Sequence, residues 1–210
     1  MLISSMVIDD FFADPMDVRN TLLKMDYPKP KGTVYYPGRD SLQQLKLPGI
    51  DDLISDISGE KVVATNLQSH AHARISMAAD DIGRKQTIHI DPGAVWSAII
   101  YMNTPDQCQG GTEFFRHKET GMERAPVYPH ELEEMGVENY VQGAQKILQK
   151  DNNDLSKWEK TSTVPMRFNR LVLLRPWHFH TSGLSFGDTN ETGRLIYLMF
   201  FESAQHMAKG

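Results

Sequence analysis

The spacing of apolar positions changes period along this chain. Residues 6–12, "MVIDDFF", run apolar and then acidic, as a short strand entering a turn does. "ADPMDVRNTLLKMDY" then places Val18, Leu22, Leu23 and Met25 on one helical face, with Asp14 as N-cap and Pro15 at the first helical position. Proline and glycine make "PKPKGTVYYPGRDS" a loop. A second helix is predicted in "LPGIDDLISDISGE", where Ile50, Leu53, Ile54 and Ile57 recur at helical spacing and Gly59 is the stop.

From residue 61 the pattern becomes that of strands. "KVVATNLQSHAHARISMA" is β-branched with partial alternation, and "ADDIGRK" supplies a turn. "QTIHID", "AVWSAIIYMN" and "GGTEFFRH" read as successive strands. "RFNRLVLLRPWHFH" and "GRLIYLMFFES" read as two more, separated by the turn-rich "TSGLSFGDTNET". Residues 117–165 interrupt this order with a polar stretch whose "HELEEMGVENYVQGAQKILQK" is helical in character, although Gly136 and Gly143 weaken it. The prediction is a mainly β fold with α: an antiparallel barrel or sandwich with a helical region at 1–60 and a structured, partly helical insertion at 117–165. All of 1–210 reads as a single domain.

Composition narrows the partners. A chain of 210 residues buries roughly 70% of the surface its unfolded form exposes, so its core needs no staple. The single cysteine, Cys108, cannot form an internal disulfide, which fits a reducing cytoplasm. No apolar run approaches membrane-spanning length, and "MLISSMVIDDFF" is too short and acidic for a signal peptide. A net charge of −5 with no clustered basic run argues against nucleic acid and anionic membrane as partners. It leaves a small-molecule or peptide substrate open, and the oligomeric state unread.

The chemistry concentrates in two short stretches. In "IHIDPG", His89 and Asp91 lie two apart, so on a strand both point to one face. In "PWHFHT", His178 and His180 do the same, 87 and 89 residues after Asp91. An imidazole and a carboxylate joined by a histidine from a distant strand make a facial set that leaves metal positions open, the arrangement of non-haem Fe(II) oxygenases. Alone, an H-x-D pair is commonplace. Here Arg194 opens the last apolar strand, and a guanidinium entering a barrel interior needs an anion, best a carboxylate held at two points.

In order, H-x-D, Y-M-N at 101–103, Gly110–Gly111, a late histidine and then Arg194 resemble the 2-oxoglutarate- and Fe(II)-dependent oxygenases, prolyl-hydroxylase-like branch. The start "VIDDFFADP" and "YYPGRDS" at 35–41 are similar to an uncharacterised bacterial group within it (DUF6445-like). The resemblance covers most of residues 6–202 outside the insertion. It implies a jelly roll (double-stranded β-helix) with Fe(II), 2-oxoglutarate and O2 as cofactors, hydroxylating a substrate with release of succinate and CO2. It implies His89 and Asp91 as metal ligands. The family's spacing from an "NRLVL"-like strand places His180 as the third, with His178 the alternative. Arg194 matches the residue that pairs with the distal carboxylate of 2-oxoglutarate, and Tyr101 the tyrosine that bonds the same group.

Other polar residues fit bland roles as well as functional ones. His70 and His72 in "SHAHAR" are expected to line or flank the pocket, and Arg116 to close a strand near its mouth; with His178 these are the substrate-pocket candidates. The rival function is a non-catalytic or 2-oxoglutarate-independent metal-binding jelly roll, cupin-like, which would have no use for the Arg194–Tyr101 pair.

Overall fold

Why each strand lies where it does follows from which of its faces is apolar. The computed structural model describes residues 3–30, 36–67, 69–82 and 87–204. In chain order its elements are β1 (Ser5–Ile8), α1 (Pro15–Leu23), β2 (Arg39–Asp40), α2 (Ile50–Ser58), β3 (Val62–Ala64), β4 (His72–Ser76), β5 (Trp96–Tyr101), β6 (Gly111–His117), α3 (Pro129–Met135), α4 (Tyr140–Asp151), β7 (Trp158–Pro165), β8 (Arg170–Leu174), β9 (His180–Thr181) and β10 (Arg194–Ser203). Seven strands form one antiparallel sheet in the order β1-β8-β5-β10-β4-β2, with β3 also paired to β10; β7-β6-β9 form a second.

The central strand β5 is buried at every position, which accounts for "WSAIIY" being apolar but for Ser97. Its Trp96, Ala98 and Ile100 point outward with Leu171, Leu173, Leu195 and Tyr197 against Leu22 of α1 and Ile54 of α2. Its Ile99 and Tyr101 point inward with Val172, Ile196 and Leu198, against Phe114 and Val164 of the small sheet. The two sheets therefore face each other across an apolar interior, and the helices cover the large sheet from outside. Ile100→Ala, in the middle of this sheet, is expected to destabilise by about 2–5 kcal/mol, read as a lower denaturation midpoint at unchanged slope.

Both N-terminal helices form, although α1 ends at Leu23, so Met25, expected on its stripe, lies beyond the helix. Asp14 accepts a hydrogen bond from the Asp17 N–H, and Gly59 ends α2. Leu53, expected on the apolar stripe of α2, is 45% exposed; only Ile54 of that stripe is fully buried. The 28–41 loop is tied down at its end. Arg39–Asp40 pair with β4, and Gly38 passes so close to that strand that a Cβ would sit 2.2 Å from the Ile75 carbonyl, at a φ of +88° that favours glycine. Residues 31–35 of the loop lie outside the described residues.

Two expected strands are not continuous. Among its described residues, 87–91, "QTIHID" forms a strand bridge at His89 alone, which exchanges both backbone hydrogen bonds with His180 (3.0 and 3.1 Å). "RFNRLVLLRPWHFH" is broken at Pro176–Trp177, where a turn carries the chain from the large sheet to the small one. Proline cannot donate to a ladder, so it marks the switch. The polar 117–165 stretch holds two α-helices, separated at Gly136 in the left-handed region (φ 60°), and its last residues form β7.

Candidate metal centre and its anion pocket

Alternation aims His89 and Asp91 inward from one segment, and pairing with His180 brings the third side chain across. Their ligand atoms all lie within 4.8 Å of one another. His89 Nε2 is 3.8 Å from Asp91 Oδ1, and His180 Nε2 is 3.5 Å from Asp91 Oδ2. The two imidazole centroids stand 4.4 Å apart.

Backbone carbonyls set the ring tautomers. His180 Nδ1 contacts the His178 carbonyl at 2.8 Å and His89 Nδ1 the Thr87 carbonyl at 3.2 Å. A carbonyl only accepts, so each Nδ1 carries the proton and each Nε2 presents its lone pair to the carboxylate side. Ser97 on β5 donates its hydroxyl to Asp91 Oδ2 at 2.8 Å, fixing the carboxylate. This donor set, two neutral nitrogens and one charged oxygen, fits a divalent first-row metal.

The electrostatics agree with the geometry. Surrounding protein, although 43% of the His89 side chain meets solvent, disfavours its charged form and pushes it down to about 4; the facing His180 adds to this. For Asp91 burial acts upward, but His180, His89 and Ser97 outweigh it and hold the carboxyl well below the usual range. His180 is buried, which acts downward, yet Asp91 and the His178 carbonyl raise it above its ordinary value. Asp91 is thus an anion in place beside one exposed and one buried imidazole.

Further along the same interior face lies a second arrangement. Arg194 is 2% exposed, and its Nε and Nη2 have no hydrogen-bond partner among the described residues. Its Cζ lies 5.9 Å from the centroid of the Tyr101 ring. Burial pulls even this guanidinium down from its ordinary range. Tyr101, fully buried, shares its hydroxyl with Thr112 Oγ1 at 2.7 Å and accepts the Thr112 N–H at 2.9 Å. Two buried donors with nowhere to go are costly unless an anion meets them.

Sequence reading missed the residues that hold these groups. Asn103 accepts the Leu195 N–H at 2.7 Å and donates to the Gly193 carbonyl at 2.8 Å, so the asparagine of the Y-M-N stretch fixes the start of β10 and with it Arg194. Ser97 and Thr112 sit in strands as ordinary polar residues, with no spacing signal to single them out. Arg74 shares the inner face of β4 and is paired by Asp40 in a fork, under the ring of Tyr36 at 3.4 Å, which is what the "YPGRD" stretch builds.

The remaining candidates are scattered. His178 stands outside the three-residue group and lines a separate cleft of about 130 Å3 with Phe115, Glu123 and Ser162; its unpartnered Nε2 is kept neutral by burial, which pushes the imidazole down to about 4. His178→Ala is accordingly expected to leave metal affinity within about twofold of wild type, by competition with a chromophoric chelator. His70 bonds the Phe200 backbone at 2.9 Å and lines a cavity of about 530 Å3 on the outer face of the large sheet, beside α2 and away from the metal group. His72 faces inward across from Leu198, with Nδ1 on the Ser41 carbonyl at 2.7 Å. Arg116 pairs with Glu123 and Glu159 in solvent. Among the described residues a second cluster, His117, Glu119 and Asp151, has a metal-like composition, but Lys150 already pairs with Glu119 and both His117 nitrogens are engaged.

The His89–Asp91–His180 group and the buried Arg194 sit on a fold similar to that of structures solved with a metal and 2-oxoglutarate bound. The structure of HygX from Streptomyces hygroscopicus with nickel, 2-oxoglutarate and hygromycin B bound is similar over 96% of this chain and 83% of that one, with a TM-score of 0.53 at 13% identity. HygX with nickel and 2-oxoglutarate bound gives 0.51 at 12% identity over the same shares. The chain belongs to the Family of unknown function (DUF6445), whose sequence pattern matches residues 4–201. No curated protein sequence matches it. No helix among the described residues is long and apolar enough to cross a membrane.

Proposed function

We propose that this protein is an Fe(II)- and 2-oxoglutarate-dependent dioxygenase on a jelly-roll (double-stranded β-helix) scaffold, acting on a small molecule, amino acid or peptidyl residue in the cytoplasm. The observation that carries the reading is Arg194: a buried guanidinium with two unpaired donor nitrogens, on the same interior face as a histidine–carboxylate group. A protein that bound a metal alone would have no reason to keep it there. The chain's passage between two facing antiparallel sheets at Pro176, with His89 and His180 paired across the small one, supports the scaffold.

Each residue then has a defined task. His89 Nε2, His180 Nε2 and the Asp91 carboxylate would hold Fe(II), with Ser97 and the two carbonyls fixing their orientation. Arg194, aided by the Tyr101–Thr112 hydroxyl pair, would take the distal carboxylate of 2-oxoglutarate. Across the β5–β10 pair Arg194 is level with Asn103, six positions from Ser97 or about 20 Å by strand rise, a span that a five-carbon diacid and the arginine side chain would share. Ile99, Val172, Leu198 and Phe114 cluster on this interior side of the sheets, where they would help exclude water from the bound cosubstrate. When bound, iron and 2-oxoglutarate supply the oxidising chemistry with O2, yielding succinate, CO2 and an oxidised substrate. Asp91 serves as ligand rather than base.

The test is succinate formation from 2-oxoglutarate by purified protein with Fe(II) in air. Succinate that depends on iron, O2 and Arg194 supports the reading. None, with wild-type protein carrying one iron per chain, would return the chain to the class of metal-binding jelly rolls.

A further inference from the structure

We infer that helix α4 is a positioning device for the metal centre: it lies along the back of the His89–Asp91 segment, is tied to it at both ends, and sets the distance between the ligand-bearing segments. The inference rests on the metal reading above and gives a role to the helical part of the 117–165 insertion.

The first observation is the tie at each end. The Tyr140 hydroxyl, on the first residue of α4, accepts the Gly93 N–H at 3.1 Å, two residues beyond Asp91. The Asn152 carbonyl, at the C-cap, accepts the Ile88 N–H at 2.9 Å, one residue before His89. From Tyr140 to Asn152 a helix advances about 18 Å. The ligand segment runs beside it from Ile88 to Asp91 and then turns at Pro92–Gly93, where Gly93 is left-handed (φ 89°). Helix and segment run antiparallel and are tied on either side of the ligand pair, so His89 and Asp91 are held between two fixed points.

The second observation is what stands behind each ligand. Ile88, Ile90 and Phe179 alternate with His89, Asp91 and His180, and all three are buried in one cluster with Ala144 and Ile147 of α4 and with Trp158. Tyr140 also meets Trp177 edge-on, at 6.2 Å between centroids, so one side chain touches both ligand-bearing stretches. On the other flank the Phe179 N–H bonds the Glu123 carbonyl and the Ala125 N–H bonds the Trp177 carbonyl (3.0 and 2.9 Å).

The third observation is how α4 itself is fixed. Near its C-terminal end, Asp151 and His117 form a buried pair at 3.1 Å; the His117 ring packs on Trp158 at 4.8 Å, and Trp158 packs on Phe179 at 5.0 Å, next to His180. In mid-helix, a Cβ on Gly143 would lie 2.2 Å from Pro126 Cγ. The glycine that weakens the helix by propensity is what lets it seat.

Tyr140→Phe keeps the ring on Trp177 and removes the acceptor for Gly93; Asp151→Asn weakens the far end. The experiment compares Co(II) affinity and the visible d–d spectrum of both variants with wild type, together with amide exchange at Gly93 in metal-free protein. Tyr128→Phe, on the exposed α3 side, is the control. The expected result is Co(II) affinity lowered about tenfold or more, as partners outside the ligand set usually contribute, an altered band shape, and faster exchange at Gly93 in Tyr140→Phe. Wild-type affinity and spectrum in Tyr140→Phe would overturn the inference, and that variant decides alone if Asp151→Asn does not fold. Failure of wild type itself to bind Co(II) would instead overturn the metal reading, and this inference with it.

Discussion

Arg194→Met is expected to make the protein more stable and less able to bind 2-oxoglutarate at once. The side chain is buried and two of its donors are unpaired, so without cosubstrate it is a charge held at a loss. An apolar residue of similar length should raise unfolding stability by about 1–4 kcal/mol, the range seen when buried charges give way to hydrophobic packing. In the complex the same guanidinium would make two charge-assisted hydrogen bonds worth about 1.5–3 kcal/mol each. Their loss weakens 2-oxoglutarate binding by about 10²–10⁴-fold, while metal affinity, set by His89, Asp91 and His180, stays near wild type. Thermal melts with and without 2-oxoglutarate check both signs. A structural arginine gives the opposite outcome: lower stability, with no selective effect on the diacid.

Asp91→Ala is expected to lower Fe(II) affinity by more than about 100-fold, beyond the 10- to 100-fold that partners outside a ligand set contribute. Asp91 is the only anion in the three-residue group, and it is an anion at neutral pH because His180, His89 and Ser97 hold its carboxyl low against burial. Without it two neutral imidazoles face a dication with no charge to balance it, and one facial position is open. Dialysis against Fe(II) under argon, followed by iron determination, reads this directly. Tight iron binding by Asp91→Ala would mean that the metal sits elsewhere.

Much of this was written in the order of residues. The period-2 reading put His89 with Asp91 on one face, and the buried β10 made Arg194 an oddity needing an anion; both lie where alternation aims them. The choice between His178 and His180 was not visible to periodicity. A turn at Pro176–Trp177 breaks the expected strand, and only after it does His180 pair with His89 while His178 turns to a separate cleft. Nor could spacing reveal Ser97, Thr112 or Asn103. Their roles come from hydrogen bonds to residues 6 to 92 positions away, which no local pattern encodes. The same holds for α4, whose seat on Pro126 and ties to Ile88 and Gly93 exist only once the chain has closed.

The central claim is that one interior holds iron and 2-oxoglutarate together. Anaerobic addition of 2-oxoglutarate to the Fe(II)-loaded protein tests it, by visible absorption. A weak metal-to-ligand charge-transfer band that saturates with 2-oxoglutarate, vanishes in Asp91→Ala and needs far more diacid in Arg194→Met is the predicted result. Iron-loaded wild-type protein that develops no band at saturating 2-oxoglutarate would contradict it.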